Sequence, residues 1–91
     1  MKTKSLLKPP KSNILKSGRV ILSSGEEIGV HSTDEKEEII IVLRGVATLQ
    51  KEEKEIKLTA GETHYIKKNT IHNVLNNSKE DLEYIYVVGL K

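Results

Sequence analysis

Two short blocks of this chain carry the residue types that hold divalent metal ions. The first runs Gly25-x5-His31-x-Thr33-x4-Glu38-x6-Gly45, and the second Gly61-x5-Lys67-x-Asn69-x2-His72-x3-Asn76. Between them they supply two imidazoles, His31 and His72, and one carboxylate, Glu38. Two neutral imidazoles and a carboxylate suit Mn(II), Fe(II), Ni(II) or Zn(II), with coordination positions left for water or substrate. Thr33, two residues after His31, offers only a weak or water-mediated oxygen. There is no cysteine, so thiolate metal sites, disulfides and thiol nucleophiles are excluded. No Gly-rich phosphate loop, Gly-x-Ser-x-Gly elbow or His-Glu-x-x-His stretch points to other chemistry.

Such ligands must be brought together by the elements that carry them, and the chain punctuates itself as short strands. It has ten Ile and seven Val against ten Leu, with three Tyr and neither Phe nor Trp, a composition that favours pleated sheet. The pattern predicts strands over 19–24, 26–32, 38–44, 46–50, 56–58, 63–67, 71–75 and 82–88. The run Ile39–Leu43 is wholly apolar and predicts a strand packed on both faces. A helix over the Glu- and Lys-rich stretch 34–57 would have to contain Ile39-Ile40-Ile41-Val42 and Gly45, a poor helix interior. Eight short strands with turns every eight to twelve residues predict an all-β sandwich or barrel.

On a strand His31 and Thr33 share a face, and Glu38 opens the strand that returns after the polar loop 33–36. At this point the two blocks resemble the paired signature motifs of the cupin superfamily, small β-barrels of jelly-roll type. Gly25, His31, Glu38 and Gly45 occupy positions of the first motif, and Gly61, His72 and Asn76 positions of the second. Thr33 stands in place of a histidine, Lys67 of a proline and Asn69 of a glycine. The resemblance implies a single-domain cupin barrel. It also implies a metal held by His31, Glu38 and His72, in a pocket lined by Thr33 and Asn76. Asn69 suits a turn position that glycine would fill, because Asn tolerates the left-handed conformation. Counting back from Gly45 selects Glu38 over Glu37, which belongs on the solvated face.

Other residues are assigned milder roles. His64 is expected to be an exposed strand histidine, lining the barrel mouth being the lesser alternative. Tyr84 and Tyr86 are expected to close the core or an interface, with a pocket role for one hydroxyl as the lesser alternative, and Arg44 to form a surface ion pair. Residues 1–17 are expected to form an extended basic arm ahead of the barrel, 18–91. Lys2, Lys4, Lys8, Lys11, Lys16 and Arg19 give +6 with no acid among the first nineteen residues. The arm lacks interleaved aromatics, which argues for a solvated segment rather than nucleic-acid contact. No apolar run exceeds five residues, so no membrane span is expected and the protein is placed in the cytoplasm.

A chain of 91 residues buries only about 60–65% of its unfolded surface, so a homodimer is expected. The function implied is binding of a small molecule around a divalent metal. A metal-dependent enzyme of the dioxygenase, isomerase or decarboxylase kind stands as an alternative, as does a metal-free ligand-binding barrel. One fold hosts many chemistries, so the motifs leave open whether the chain is an enzyme.

Overall fold

The computed structural model describes residues 1–90; Lys91, the last residue of the expected barrel segment, lies outside the described residues. Nine strands follow one another: β1 Lys2–Leu7, β2 Leu15–Leu22, β3 His31–Ser32, β4 Glu37–Arg44, β5 Val46–Lys51, β6 Lys54–Thr59, β7 Thr63–Ile66, β8 Ile71–Leu75 and β9 Leu82–Gly89. They form two antiparallel sheets, of order β1-β2-β9-β4-β7 and β3-β8-β5-β6. The described residues contain no helix, and so none long and apolar enough to cross a membrane.

The core lies between the sheets and is built by period-two alternation. Val20 and Leu22 of β2, Ile40 and Val42 of β4, Leu82 and Tyr84 of β9, and Leu49 and Val74 of the smaller sheet are all buried. Burying these side chains is the main source of stability, at about 1.5–3 kcal/mol each. The strand β4 departs from expectation in this respect. Glu38, Ile40 and Val42 point inward, while Ile39 (42% exposed) and Leu43 (43%) face out. One face of the larger sheet fills the core and the other faces solvent, so an apolar run here marks an exposed stripe rather than a strand packed on both faces.

The N-terminal segment also departs from expectation. Residues 1–17 do not stand apart: β1 pairs along β2 through Lys2↔Ile21, Thr3↔Val20 and Lys4↔Arg19, and β2 itself begins at Leu15. Lys2 and Lys4 alternate with Thr3 and Ser5, so the charges fall on one side of an edge strand. Lysine there is compatible with pairing on one side and discourages it on the other. The segment expected as a strand over 26–32 is mostly irregular, with only His31 and Ser32 in β3. Gly29 takes a left-handed conformation (φ 112°) and breaks the run.

Gly45, which closes the first motif, is required by space as well as by conformation. Its φ is 83°, and a Cβ added there would collide with the backbone carbonyl of Asp81 and the Cα of Leu82. The chain can therefore turn from β4 into β5 directly beneath the start of β9. Arg44, beside it, pairs with Glu83 at 2.8 Å, the surface ion pair expected of it.

Candidate metal centre

The register brings the two histidine blocks together. Strand β3 pairs with β8 so that His31 lies opposite His72, with ring centroids 4.1 Å apart and planes inclined at 62°. Glu38 enters from the facing sheet on β4, and its Oε1 lies 3.2 Å from His72 Nε2. One potential ligand atom from each of His31, Glu38 and His72 falls within 4.8 Å of the other two. The three residues picked out by spacing are thus gathered at one point.

Both rings are oriented by the backbone. His31 Nδ1–H donates to the Gly29 carbonyl (2.7 Å), and His72 Nδ1–H donates to the Thr70 carbonyl (3.0 Å). A carbonyl can only accept, so each Nδ1 carries the proton and each Nε2 presents a lone pair. The Nε2 of His72 is buried and has no hydrogen-bond partner. Its nearest polar neighbour is a carboxylate oxygen, also an acceptor. Two acceptors facing each other in a buried site must share a proton or a cation, and a divalent metal satisfies both. On this geometry the residues fit a metal, with backbone carbonyls orienting the ligand rings from behind.

The proton is the metal's competitor. Burial lowers the basicity of His72, but the hydrogen bond and charge of Glu38 and the Thr70 carbonyl outweigh it, and the pKa lies above the ordinary imidazole value of 6.5. His64 behaves oppositely: burial, then the charge of Lys51, lowers its pKa. It was expected to be exposed, yet it sits opposite Ile40 on the inward face of β7, half-buried, with Nε2 unpartnered. Glu37 points away from the centre and accepts a hydrogen bond from the Tyr65 hydroxyl at 2.6 Å, as its place on the outer face requires.

Thr33 does not turn toward the ligands. Its hydroxyl donates to the Lys67 carbonyl (2.7 Å) and accepts from the Thr70 N–H (3.0 Å), while its own N–H reaches the Thr70 carbonyl (3.1 Å). Alongside, the Asn69 N–H donates to the Asp34 carbonyl (2.6 Å), with Asn69 in the left-handed conformation (φ 55°) that its identity suggests. The position where a further ligand would stand is therefore a clamp between the two loops. Thr33 is only 6% exposed and lines the cavity through the rest of its side chain.

The cavity itself is about 550 Å³ and opens between the sheets beside His31 and Glu38. Its walls are Val20, Ile28, Val74, Val88 and the two tyrosines Tyr84 and Tyr86. Like Tyr86, Tyr84, expected chiefly to close the core or an interface, also lines the cavity. Burial foremost, then the negative charge of Glu38, raises its pKa and keeps the phenol protonated. Asn76 lies elsewhere. It is fully buried, its amide donates to the carbonyls of Leu22 and Glu80, and its carbonyl accepts from Ser78. That role is structural: it ties the β8–β9 loop to the end of β2 and does not line the cavity. Sequence spacing alone could not distinguish a side chain aimed at the pocket from one satisfying a loop backbone.

Comparison with known proteins agrees with this architecture. The family model described as "Cupin domain" matches residues 18–88, and the chain belongs to the cupin family. Among solved structures it is similar to a predicted oxalate decarboxylase from Thermotoga maritima, with 24% identity and a TM-score of 0.90 over 98% of this chain and 79% of that one. It is also similar to the cupin domain of Cnp3 from Schizosaccharomyces pombe, with 16% identity and a TM-score of 0.88 over 98% of this chain and 64% of that one. KdgF from Halomonas sp. aligns with 18% identity and a TM-score of 0.84 over 98% of this chain and 77% of that one. At these identities the likeness shows the fold. No curated protein matches the chain in sequence.

Two expected outcomes follow from the geometry. Thr33→Val keeps the shape but leaves the Thr70 N–H and the Lys67 carbonyl unpaired, and should cost about 1–3 kcal/mol in urea unfolding, with Thr33→Ser largely preserving stability. Wild-type stability for both variants would show that the hydroxyl clamps nothing. The second outcome concerns pH. Since His72 is more basic folded than unfolded, the His72–Glu38 pair stabilises the metal-free protein fully below pH 6.5, and this is lost as pH rises through the folded pKa. A metal needs the unprotonated ring, so its stabilisation is lost as pH falls. Melting temperature against pH should slope in opposite directions with chelator and with saturating metal; parallel slopes would contradict the shared Nε2 lone pair.

Proposed function

We propose that this protein binds a small molecule in a pocket centred on a divalent metal, with His31, Glu38 and His72 as the protein ligands. The observation that carries the reading is the unpartnered, buried Nε2 of His72 facing Glu38 Oε1 at 3.2 Å, with the other ring nitrogen of each histidine tied to the backbone. Mn, Fe, Ni and Zn all suit such a donor set. A metal held there would have positions open toward the cavity and would act on a bound molecule as a Lewis acid. The protein's own contribution is to fix the three donors, to surround them with apolar walls, and to keep Thr33 out of the coordination sphere.

We further propose that the outward stripe of the larger sheet pairs with a second copy of the chain. Ile39, Ile41 and Leu43 of β4 lie beside Ile85 and Val87 of β9 through Ile39↔Val87 and Ile41↔Ile85. The polar groups around the stripe are already engaged with one another, Glu37 with the Tyr65 hydroxyl and Arg19 and Arg44 with Glu83. A two-fold axis through such a stripe makes it its own complement.

Elemental analysis of protein purified without chelator should find about one transition-metal ion per chain, and removing it should lower the melting temperature by mass action. His72→Ala should abolish retention. No uptake of Mn, Fe, Ni or Zn by the wild type would end the metal reading. Light scattering should give twice the 10.2 kDa chain mass, reduced to the monomer by Ile39→Lys. A wild-type monomer at tens of micromolar would rule out pairing through this stripe.

A further inference from the structure

We infer that the ligand of this pocket is a small carboxylate with an apolar body, its anionic end held by Lys16 and Lys36. The inference rests on the metal-centred reading for the ligand's place in the cavity, while the preference for negative charge comes from the lysines. The fully charged side chains lining the cavity are Lys16, Lys36 and Glu38. Glu38 is already committed to His72. Neither lysine ammonium has an acidic partner among the described residues. A pocket holding two ammonium groups, a divalent cation and one carboxylate has an excess of positive charge facing a low-dielectric wall. An anion relieves it.

Register places the two lysines on either side of Glu38. Val88 of β9 pairs with Lys16 on one flank and with Glu38 on the other. Lys16, Val88 and Glu38 therefore form one row across three strands, about 10 Å from end to end at the usual strand spacing. Glu38 in this row is buried and Val88 half-buried, while Lys16, near the start of β2, is exposed where it lines the cavity. Lys36 precedes Glu38 by two residues, is half-buried, and lines the same cavity. One amine thus approaches along the strand and the other across the sheet.

Deeper rows are apolar. Gly18, Tyr86 and Ile40 form the next, then Val20, Tyr84 and Val42. The Tyr86 ring lies directly over Gly18, with ring atoms within 2.7 Å of where a Cβ would stand, so the floor there is a flat aromatic surface. Among the described residues the lining contains no Asn, Gln, Asp or Arg; its hydroxyl side chains are Thr3, Ser32, Thr33, Tyr84 and Tyr86, of which that of Thr33 is committed to the backbone. An apolar chain ending in a carboxylate meets a matching surface along its length.

The test compares hexanoate with hexanamide, which differ in charge and little in shape, by NMR titration of metal-loaded and of chelator-treated protein. Hexanoate should bind at least about tenfold more tightly than hexanamide in both forms. Lys36→Gln and Lys16→Gln should each weaken hexanoate by roughly three- to tenfold, leave hexanamide unchanged, and leave the melting temperature near that of the wild type. Equal affinities for the two probes, no binding of hexanoate, or a preference that survives the double variant would each overturn the inference. A protein that takes up no metal but still prefers hexanoate would defeat the metal reading and leave this one standing.

Discussion

One buried contact organises the site: the approach of His72 Nε2 to Glu38 Oε1 across the space between the two sheets. Neither atom can donate to the other while Nδ1 holds the ring proton for Thr70. The pair is stable only with something between its members, and no side chain among the described residues donates to His72 Nε2. Burial makes the demand acute, because an unpaired acceptor in a low-dielectric interior costs far more than one in water. A proton meets it in acid, and on the proposed reading a metal would do so at higher pH. The cavity, the exposed position of His31 and the apolar walls then determine what else can reach that point.

Holding two acceptors so close requires a register that no single strand defines. His72 is placed by its pairing with His31 on one side and Lys51 on the other. Glu38 is placed by β9 and β7. A slip of one residue in β4 would carry Glu38 to the outer face and Glu37 inward, and would turn Ile40 and Val42 out of the core. The alternation of Ile40 and Val42 with Ile39 and Leu43 resists that slip only weakly, since both faces of β4 are apolar. Gly45 supplies much of the missing specification. Its closeness to Asp81 and Leu82 pins the end of β4 against the start of β9, and the ladder back to Glu38 follows from there.

Much of this was legible from spacing. The interval from Glu38 to Gly45 selected the inward carboxylate. Asn69 announced a left-handed turn through its own chemistry. What remained hidden depends on which strands are neighbours in space. Lys16 sits among so many N-terminal lysines that nothing local separates it from the others; only its pairing with Val88, more than seventy residues away, puts it in one row with Glu38. For Tyr84 and Tyr86 alternation shows a shared face but not what faces them, so core, interface and pocket all remain open in the sequence. Asn76 was read as pocket-lining because a motif position says nothing about whether an amide is used by a ligand or by a loop. The strand β1 escaped because its lysines suggest solvent, whereas at period two on an edge they are compatible with a sheet.

Thr33 shows how the chain divides the work of stability from that of binding. A side chain that reached into the centre would have tied the loop after β3 to the rest of the site through the metal, making the order of the pocket depend on occupancy. Thr33 ties the same loop to Lys67 and Thr70 by hydrogen bonds that exist with or without an ion. The rim from Thr33 to Lys36 is thereby held in shape beforehand, together with the Lys36 N–H bonded to the Thr33 carbonyl at 3.0 Å. Less ordering entropy then remains to oppose binding. For a barrel of this size, whose margin of stability is thin, a loop closed by its own backbone partners would free a metal bound by His31, Glu38 and His72 from a structural task.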